Sequence, residues 1–289
     1  MMNCCGNFRK TLMLLLALDT STRQASVALC TEEIVLGEYT WQVGNNHSVE
    51  LLERIQRLIV ECCDQDMRAV EAIAVATGPG SFNGLRVAVA TAKALAFSLG
   101  LPLVGISTLD IIAAHQRQWS GPICALLEAG RSELYAACYL FDEIHEDRSV
   151  SYSMRRLSDY MLESPQNLSQ FLREHLNGWV GVPGQRQLPA TLFCGEIREA
   201  SHLALSSALP EISLFVSSLD STRRASLLAA LAFERYQSGV LDDPMLLEPL
   251  YLRRPSITTS ARKQSLFGEK THRSSDPTKT EREEGALQH

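Results

Sequence analysis

The segment 72–100 constrains the fold more than any other part of this sequence. It begins with a short apolar run, residues 73–76, that has the length of a buried strand. Two glycines around a proline, Gly78-Pro79-Gly80, then require a sharp turn. From Leu85 onward the residues are mostly alanine, valine and leucine, which predicts a helix that is apolar on nearly all sides. The segment therefore predicts a strand, a glycine turn, and a helix that another element or a partner must cover.

The glycine turn differs from a phosphate-binding P-loop in two respects. It does not end in Gly-Lys-Ser/Thr, and Pro79 lacks a backbone N–H that a phosphate cradle would use. We therefore predict a structural turn that sets the helix against the sheet, with a phosphate site as the alternative. Arg86 opposes the helix dipole, so we expect it to have an acidic or carbonyl partner. The predicted turn residues are Gly78, Pro79, Gly80, Ser81, Gly84 and Arg86.

Composition narrows the range of functions. The 289 residues carry a formal net charge of −6, which excludes a broadly basic surface for nucleic acid. Any contact with nucleic acid is expected to be local or made through a partner. The eight cysteines include no Cys-x-x-Cys, so we predict reduced thiols in the cytoplasm rather than disulfides or a zinc site. No apolar run is long enough to span a bilayer, and no membrane association is expected.

The amino terminus imitates a secretory signal, because Arg9-Lys10 precedes the apolar run 12–18. The polar stretch 19–22 follows at once without a small-residue cleavage site, so export is the weaker alternative. Residues 1–12 are interpreted as an extension, and Met13 as a possible start site.

The order of predicted elements indicates an α/β protein with two halves of related topology. In the first half we predict three strands, a helix from His47, the strand, turn and helix described above, and the strand 101–106 followed by the helix 108–116. The second half is predicted to contain strands at 122–127, 134–140, 150–156 and 212–216, with a charged loop at 141–148. A helix is predicted from Ser164-Pro165 to about residue 175, and short extended pieces are predicted at 179–187 and 191–195. The predicted divisions are an amino-terminal lobe at 13–107, a second lobe at 108–220, a helix and exit segment at 221–254, and a disordered polar tail at 255–289.

Two further places are candidates for chemical sites. The loop Asp19-Thr20-Ser21 lies between the first two predicted strands, where a sugar kinase or actin-like ATPase binds phosphate, but it lacks the glycine that close backbone approach needs. Nucleotide binding there is an alternative to a plain capped turn. His47 has no cysteine beside it and no second histidine one helical turn away, which favours a capping or interface role over a metal site. No catalytic residue is predicted.

These features together resemble the TsaB (YeaZ-like) family. The matching stretches span residues 14–253 and are LALDTSTRQASVAL, NNHSVELLERI, IAVATGPGSFNGLRVAVATAKALA, LPLVGISTLDIIA, RSELYAACY and PLYLR. The GPGSF-x-GLR core is the specific part. Asn83 stands where the family usually has threonine, and Glu128-Ala129-Gly130-Arg131 replaces a more usual Asp-Ala-Arg.

The resemblance implies an actin-like, sugar kinase and Hsp70 (RNase H-like) fold with two related lobes. It also implies a scaffold that is no enzyme by itself. TsaD would transfer the threonylcarbamoyl group from its adenylate to N6 of adenosine 37 in tRNAs that decode ANN codons, and TsaE would add ATP-dependent turnover. The resemblance further implies that the chain itself binds no cofactor tightly and that ATP is used by the complex. It also implies that the chain contacts tRNA only indirectly, through the complex.

The catalytic paralogue TsaD carries two metal-binding histidines four residues apart on a helix. The equivalent positions here are Thr108 and Ile112. Isoleucine has no lone pair and a neutral threonine hydroxyl is a poor ligand, so the resemblance implies that this metal site is missing.

We expect a partner to bind the apolar surface of the first two helices. The predicted interface residues are His47, Leu51, Leu52, Ile55, Leu58, Val87, Ala90 and Ala94. One alternative is an active ATPase or kinase of the same superfamily that uses Asp19; another is a homodimer through the same helices. Arg253 and Arg254 are candidates for a local tRNA contact, or are simply solvated.

Overall fold

The computed structural model describes residues 13–44, 46–64, 66–146, 149–180 and 189–253. The predicted extension 1–12, the predicted tail 255–289 and Arg254 lie outside the described residues.

The first sheet is built almost entirely from apolar residues. Its strands are β1 (Leu15–Asp19), β2 (Gln24–Cys30), β3 (Val35–Gln42), β4 (Ala72–Gly78) and β5 (Leu103–Ser107), arranged in the order β3-β2-β1-β4-β5. Strand β1 is antiparallel to β2 and parallel to β4. Every residue of β1, β2 and β5 is buried, as expected for strands that are covered on both faces.

Two long helices cover the outer face of this sheet, α1 (His47–Cys62) and α2 (Phe82–Leu99). The side chain of Ser81 caps α2 by accepting a hydrogen bond from the Gly84 N–H, and the helix ends at Gly100 in the left-handed conformation that glycine tolerates. The strand, turn and helix predicted at 72–100 are thus confirmed. A short 3₁₀ helix, Met67–Ala69, precedes β4.

The second sheet repeats the strand order of the first. Its strands are β6 (Ile123–Gly130), β7 (Glu133–Glu146), β8 (Ser149–Arg156), β9 (Met161–Glu163), β10 (Thr191–Glu196) and β11 (Ser213–Phe215). Strand β9 pairs only with β7, at the side of the main path. When β9 is left out of the count, the order along β8-β7-β6-β10-β11 is third, second, first, fourth, fifth, as in the first sheet. Its helices are α4 (Pro165–Val180) and α5 (Glu199–Ala208). The prediction of two halves with related topology is therefore confirmed.

Two helices lie between the sheets, α3 (Thr108–Ala114) and α6 (Ala225–Gln237). One core cluster includes Ala74 of the first sheet, Ala125 of the second, Ile111 of α3 and Leu228 of α6. Helix α3 packs against both sheets, and α6 packs against the first sheet and α3. The predicted lobe boundaries at 107 and 220 stay a prediction.

Four cysteines are buried free thiols, as the sequence predicted: Cys30, Cys124, Cys138 and Cys194. Burial raises the pKa of Cys30 to about 12. In the described part of the chain, no helix is both long and apolar enough to cross a membrane.

Some predictions for the second lobe were wrong. Strand β7 continues to Glu146 where a charged loop was expected, because β8 pairs with it from Tyr139 to Glu146. Helix α4 runs to Val180, past residue 175 and into the segment 179–187 that was expected to be extended; the rest of that segment, from 181, lies outside the described residues. Helix α5 was not predicted. Its serines form helix poorly by themselves, and a tertiary contact with Glu128 fixes its first turn.

Candidate functional site

The glycine turn packs directly on the turn between β1 and β2. A Cβ atom at Gly84 would lie 2.0 Å from the carbonyl oxygen of Thr20, and one at Gly80 would lie 2.2 Å from that of Ser21. The Thr20 hydroxyl donates to the Gly84 carbonyl at 2.7 Å, and the Ser81 N–H donates to the Ser21 carbonyl at 2.6 Å. Glycine is therefore required for close backbone approach. The facing carbonyls are acceptors, whereas a phosphate needs N–H donors.

Arg86 has no acidic or carbonyl partner among the residues that the structure describes, although one was expected. Its guanidinium lies over the ring of Phe82, 5.2 Å from the ring centroid. Phe82 in turn contacts Tyr251, with 5.3 Å between ring centroids. The face of the Phe82 ring attracts the Arg86 cation, and this attraction offsets the unfavourable position of a positive charge at the start of a helix.

Asp19 lies at the end of β1, in the loop considered for nucleotide binding, and both of its carboxylate oxygens are engaged. Oδ1 accepts hydrogen bonds from the backbone N–H of Ser21 at 2.8 Å and from its hydroxyl at 2.5 Å. Oδ2 accepts from Nε of Arg223 at 2.9 Å. Asp19, Thr20 and Ser21 are all buried. The carboxylate is thus neutralised within the chain.

Arg223 is the largest fully buried side chain in the described residues, and it contacts both lobes. Besides Asp19, it donates from Nη2 to the Thr22 hydroxyl at 2.8 Å and to the Gln24 carbonyl at 2.7 Å. From Nη1 it forms an ion pair with Glu196 at the end of β10. Sequence reasoning missed this residue. The only local signal was an Arg-Arg pair directly before the apolar helix α6.

The second lobe carries a comparable arrangement. Glu128 lies in β6, the strand equivalent to β1, and accepts from the backbone and side chain of Arg198 at 2.9 and 2.8 Å and from the Ser201 hydroxyl at 2.6 Å. Burial raises the pKa of Glu128, but the hydrogen bonds from Arg198 and Ser201 outweigh it, and the net pKa lies below its ordinary value. The first strand of each sheet, β1 or β6, therefore carries at or near its end an acidic residue that pairs with an arginine.

The predicted partner interface divides into buried and exposed residues. Leu51, Ile55 and Leu58 are buried in the core between α1 and the first sheet, which corrects their assignment, because the lobe itself already covers them. Leu52 is 54% exposed. His47 and Val87 are half-buried, and Ala90 and Ala94 are exposed.

What we call the α1–α2 face consists of the half-buried Val87 and six exposed apolar residues of the two helices: Val49, Leu52, Val60, Ala90, Ala94 and Phe97. A groove of about 340 Å³ lies between the helices and is lined by Leu52, Val60 and Leu95, among others. The side chain of His47 does not cap α1, because the residue in the cap position is Asn46, and His47 Nδ1 has no hydrogen-bond partner among the described residues.

The other candidate positions have structural roles. Thr108 and Ile112 are buried in α3, and the described residues contain no group of three or more potential ligands that could hold a metal ion. Arg253 donates to the Ala129 carbonyl at 2.6 Å and pairs with Glu133, so it holds the β6–β7 hairpin instead of lying solvated.

Comparison with known proteins identifies the family. The family model described as TsaD, tRNA N6-adenosine threonylcarbamoyltransferase, matches residues 41–257. The TsaB protein of Haemophilus influenzae is 30% identical over 213 residues, which cover 65% of this chain and 86% of that protein. The chain belongs to the TsaB family.

The TsaB protein of Bacillus subtilis is 35% identical over 143 residues, which cover 48% of this chain. The match spans 62% of the Bacillus subtilis protein, which is less than two thirds of its length. Both relatives are named as tRNA threonylcarbamoyladenosine biosynthesis proteins. The structure of YeaZ from Pseudomonas aeruginosa superposes with a TM-score of 0.62 at 27% identity, covering 83% of this chain and all of that one. Together with the repeated strand order, this match identifies the actin-like fold.

Proposed function

We propose that this TsaB-family chain is a non-catalytic subunit in the biosynthesis of tRNA threonylcarbamoyladenosine, and that it binds a TsaD-type transferase through the α1–α2 face. The observation that carries the proposal is this exposed apolar face, which lies over a core that the chain has already filled. Exposed contiguous apolar surface of this kind marks an interaction site. The names of the relatives point to the pathway.

The helix surface suits a helical partner. Ala90 and Ala94 lie one turn apart on α2, and their small side chains allow another helix to approach closely. Leu52 borders the groove between α1 and α2, where it would serve as an apolar anchor. We propose that TsaE and ATP act on the resulting cytoplasmic assembly and that tRNA is contacted through the partner.

The non-catalytic role is supported by the state of the acidic residues. Asp19 and Glu128 are each saturated by internal hydrogen bonds and an arginine, so neither is available to bind a metal or activate a nucleophile without breaking those contacts. The alternative of an active ATPase or kinase predicts that the isolated chain binds ATP tightly at Asp19. Calorimetric titration of the isolated chain with ATP and Mg²⁺ separates the two, because we expect no tight binding.

The interface is tested by replacing one exposed residue. We expect Leu52→Glu to abolish co-purification with the TsaD-type partner while the chain stays folded, since the charge would have to be desolvated in the interface. Leu219→Glu is the matched control, because that leucine is 84% exposed and belongs to neither helix. Retention of the partner by Leu52→Glu would contradict the proposal. Light scattering with and without the partner tests whether a second copy competes for the same face.

A further inference from the structure

The α1–α2 face by itself is small for a stable complex. A standard interface uses about 20–30 residues from each side. The exposed apolar residues of α1 and α2 are far fewer, and two of them are alanines that bury little area. A stable complex through this face therefore needs additional surface next to it.

The exposed side of α1 carries charged groups. Glu53 and Arg57 form an ion pair at 2.7 Å on the exposed side of α1, and Glu61 accepts a hydrogen bond from Tyr39 at 2.7 Å. Charged groups of this kind are typical of solvated surface and are depleted from interface cores. This side of α1 itself adds no further apolar surface, whereas Ile34, Val35 and Leu36 at the start of β3 are exposed.

On the other side of α2 lies the segment 240–250, which we call the strap. It covers the edge of the first sheet at β5. The Asp242 N–H donates to the Leu103 carbonyl at 2.9 Å, the Asp242 carboxylate accepts from the Gly105 N–H at 2.7 Å, and the Leu250 N–H donates to the Thr77 carbonyl at 2.7 Å. These contacts hold both ends of the strap in place.

Lys93 of α2 fastens the middle of the strap. Its ammonium donates to the carbonyls of Met245 at 3.3 Å and Leu247 at 3.0 Å. Lys93 is three residues after Ala90 and four before Phe97, so the three lie on the same side of the helix. The strap therefore adjoins the α1–α2 face along the row formed by Ala90 and Phe97.

The strap presents two of its large apolar side chains, Met245 and Leu246, to solvent. Leu247 packs inward against the core of the first lobe. Met245 and Leu246 are 70% and 75% exposed, although the backbone beside them is fixed. A fixed backbone lowers the entropy that is lost on binding. The unbranched side chain of Met245 also adapts well to a partner surface.

We propose that the strap is the second half of the partner interface, with Met245 and Leu246 contacting the same TsaD-type chain that covers the α1–α2 face. This inference rests on the proposed function. The partner would lie across α2, with one edge in the groove beside Leu52 and the other on the strap.

The test measures the dissociation constant between the full chain and the TsaD-type protein. We expect Met245→Ser and Leu246→Ser each to weaken binding about tenfold. Leu219 is a leucine of similarly high exposure outside both surfaces, so Leu219→Ser should leave the affinity unchanged. Hydrogen exchange on the unsubstituted chain gives a second readout, in which amides that the partner covers within 240–247 exchange more slowly in the complex.

The outcomes separate this inference from the proposed function. If Leu52→Glu abolishes binding while both strap variants bind normally and the strap amides gain no protection, the strap inference is overturned and the proposed function stands. If Leu52→Glu and both strap variants bind normally, both fail. Weaker binding by the strap variants, with strap protection and an unchanged Leu219→Ser, supports the inference.

Discussion

Arg223 and Asp19, which are 204 residues apart in sequence, form an ion pair of 2.9 Å in which both side chains are only 1% exposed. Arg223 also reaches Glu196, so one buried guanidinium joins the end of β1 in the first lobe to the end of β10 in the second. Five guanidinium donors in a planar fork suit this arrangement, which lysine could not reproduce. Arg223 therefore links the two lobes and is the counterion of Asp19, which would otherwise be a buried carboxylate without a counterion.

Replacing Arg223 should therefore destabilise the protein strongly. We expect Arg223→Met to lower the free energy of unfolding by about 3–5 kcal/mol, because Asp19 would stay buried without a counterion. The neighbouring Arg224 is a matched control. It is 53% exposed, and its partner Glu38 also accepts hydrogen bonds from Ser226, so Arg224→Met should cost at most about 1 kcal/mol. Urea denaturation at neutral pH measures both, and equal losses would contradict the assignment.

The close approach at Gly84 predicts a second contrast. Gly84→Ala should destabilise the chain by about 1–3 kcal/mol, because its Cβ would overlap the Thr20 carbonyl and force α2 away from β1. Gly178 lies in α4, where an added Cβ would have open space within 4 Å, so Gly178→Ala should be neutral or stabilising by up to about 1 kcal/mol. Thermal unfolding of the two variants tests the difference. A neutral Gly84→Ala would show that the turn can relax.

Two neighbouring apolar residues of α1 should respond differently to a charge. Ile55 is buried against the first sheet, and Ile55→Glu is expected to cost at least about 3 kcal/mol through desolvation of the carboxylate. Leu52→Glu should leave stability nearly unchanged, since that side chain already faces solvent. Near-ultraviolet circular dichroism and urea denaturation distinguish loss of fold from loss of binding. Similar stabilities for the two variants would contradict the observed orientation of α1.

Asp110 predicts a pH dependence of stability. Burial raises its pKa above the ordinary 3.8, and hydrogen bonds from Tyr139 and Tyr160, with the charges of Arg156 and Arg235, offset this only in part. Because the pKa of Asp110 is higher in the folded state than in the unfolded state, the native state binds the proton more tightly. The protonated carboxyl therefore contributes its full stabilisation below the unfolded-state pKa, and this stabilisation is lost as pH rises through the folded-state pKa.

Asp110→Asn removes this titration. The variant should therefore gain stability relative to the unsubstituted chain as pH rises from about 3.5 toward 7, which urea denaturation across that range measures. Tyr160→Phe is the companion variant. It removes a hydrogen bond of 2.9 Å to the carboxylate and should increase the pH dependence. A stability difference that is flat with pH would exclude Asp110 as the titrating group.

The sequence predicted local structure well where the apolar pattern is regular. Strands β4 and β5 end within two residues of the predicted runs 73–76 and 101–106, because the burial of these strands follows directly from continuous apolar runs. Prediction from the sequence failed where contacts with another segment of the chain determine the local structure. The charged end of β7 is a strand only because β8 lies beside it, and α5 depends on Glu128, a residue far away in sequence.

The sequence by itself determined the two repeated α/β halves, the glycine turn against the first loop, and the family to which the chain belongs. Only the tertiary structure decided which apolar residues are available to a partner. Helix α1 is apolar over more of its circumference than one sheet can cover, so its pattern could not show that Leu51 lies inside and Leu52 outside. The pairing of Arg223 with Asp19 and the fastening of the strap by Lys93 are contacts between distant segments, which no local pattern records.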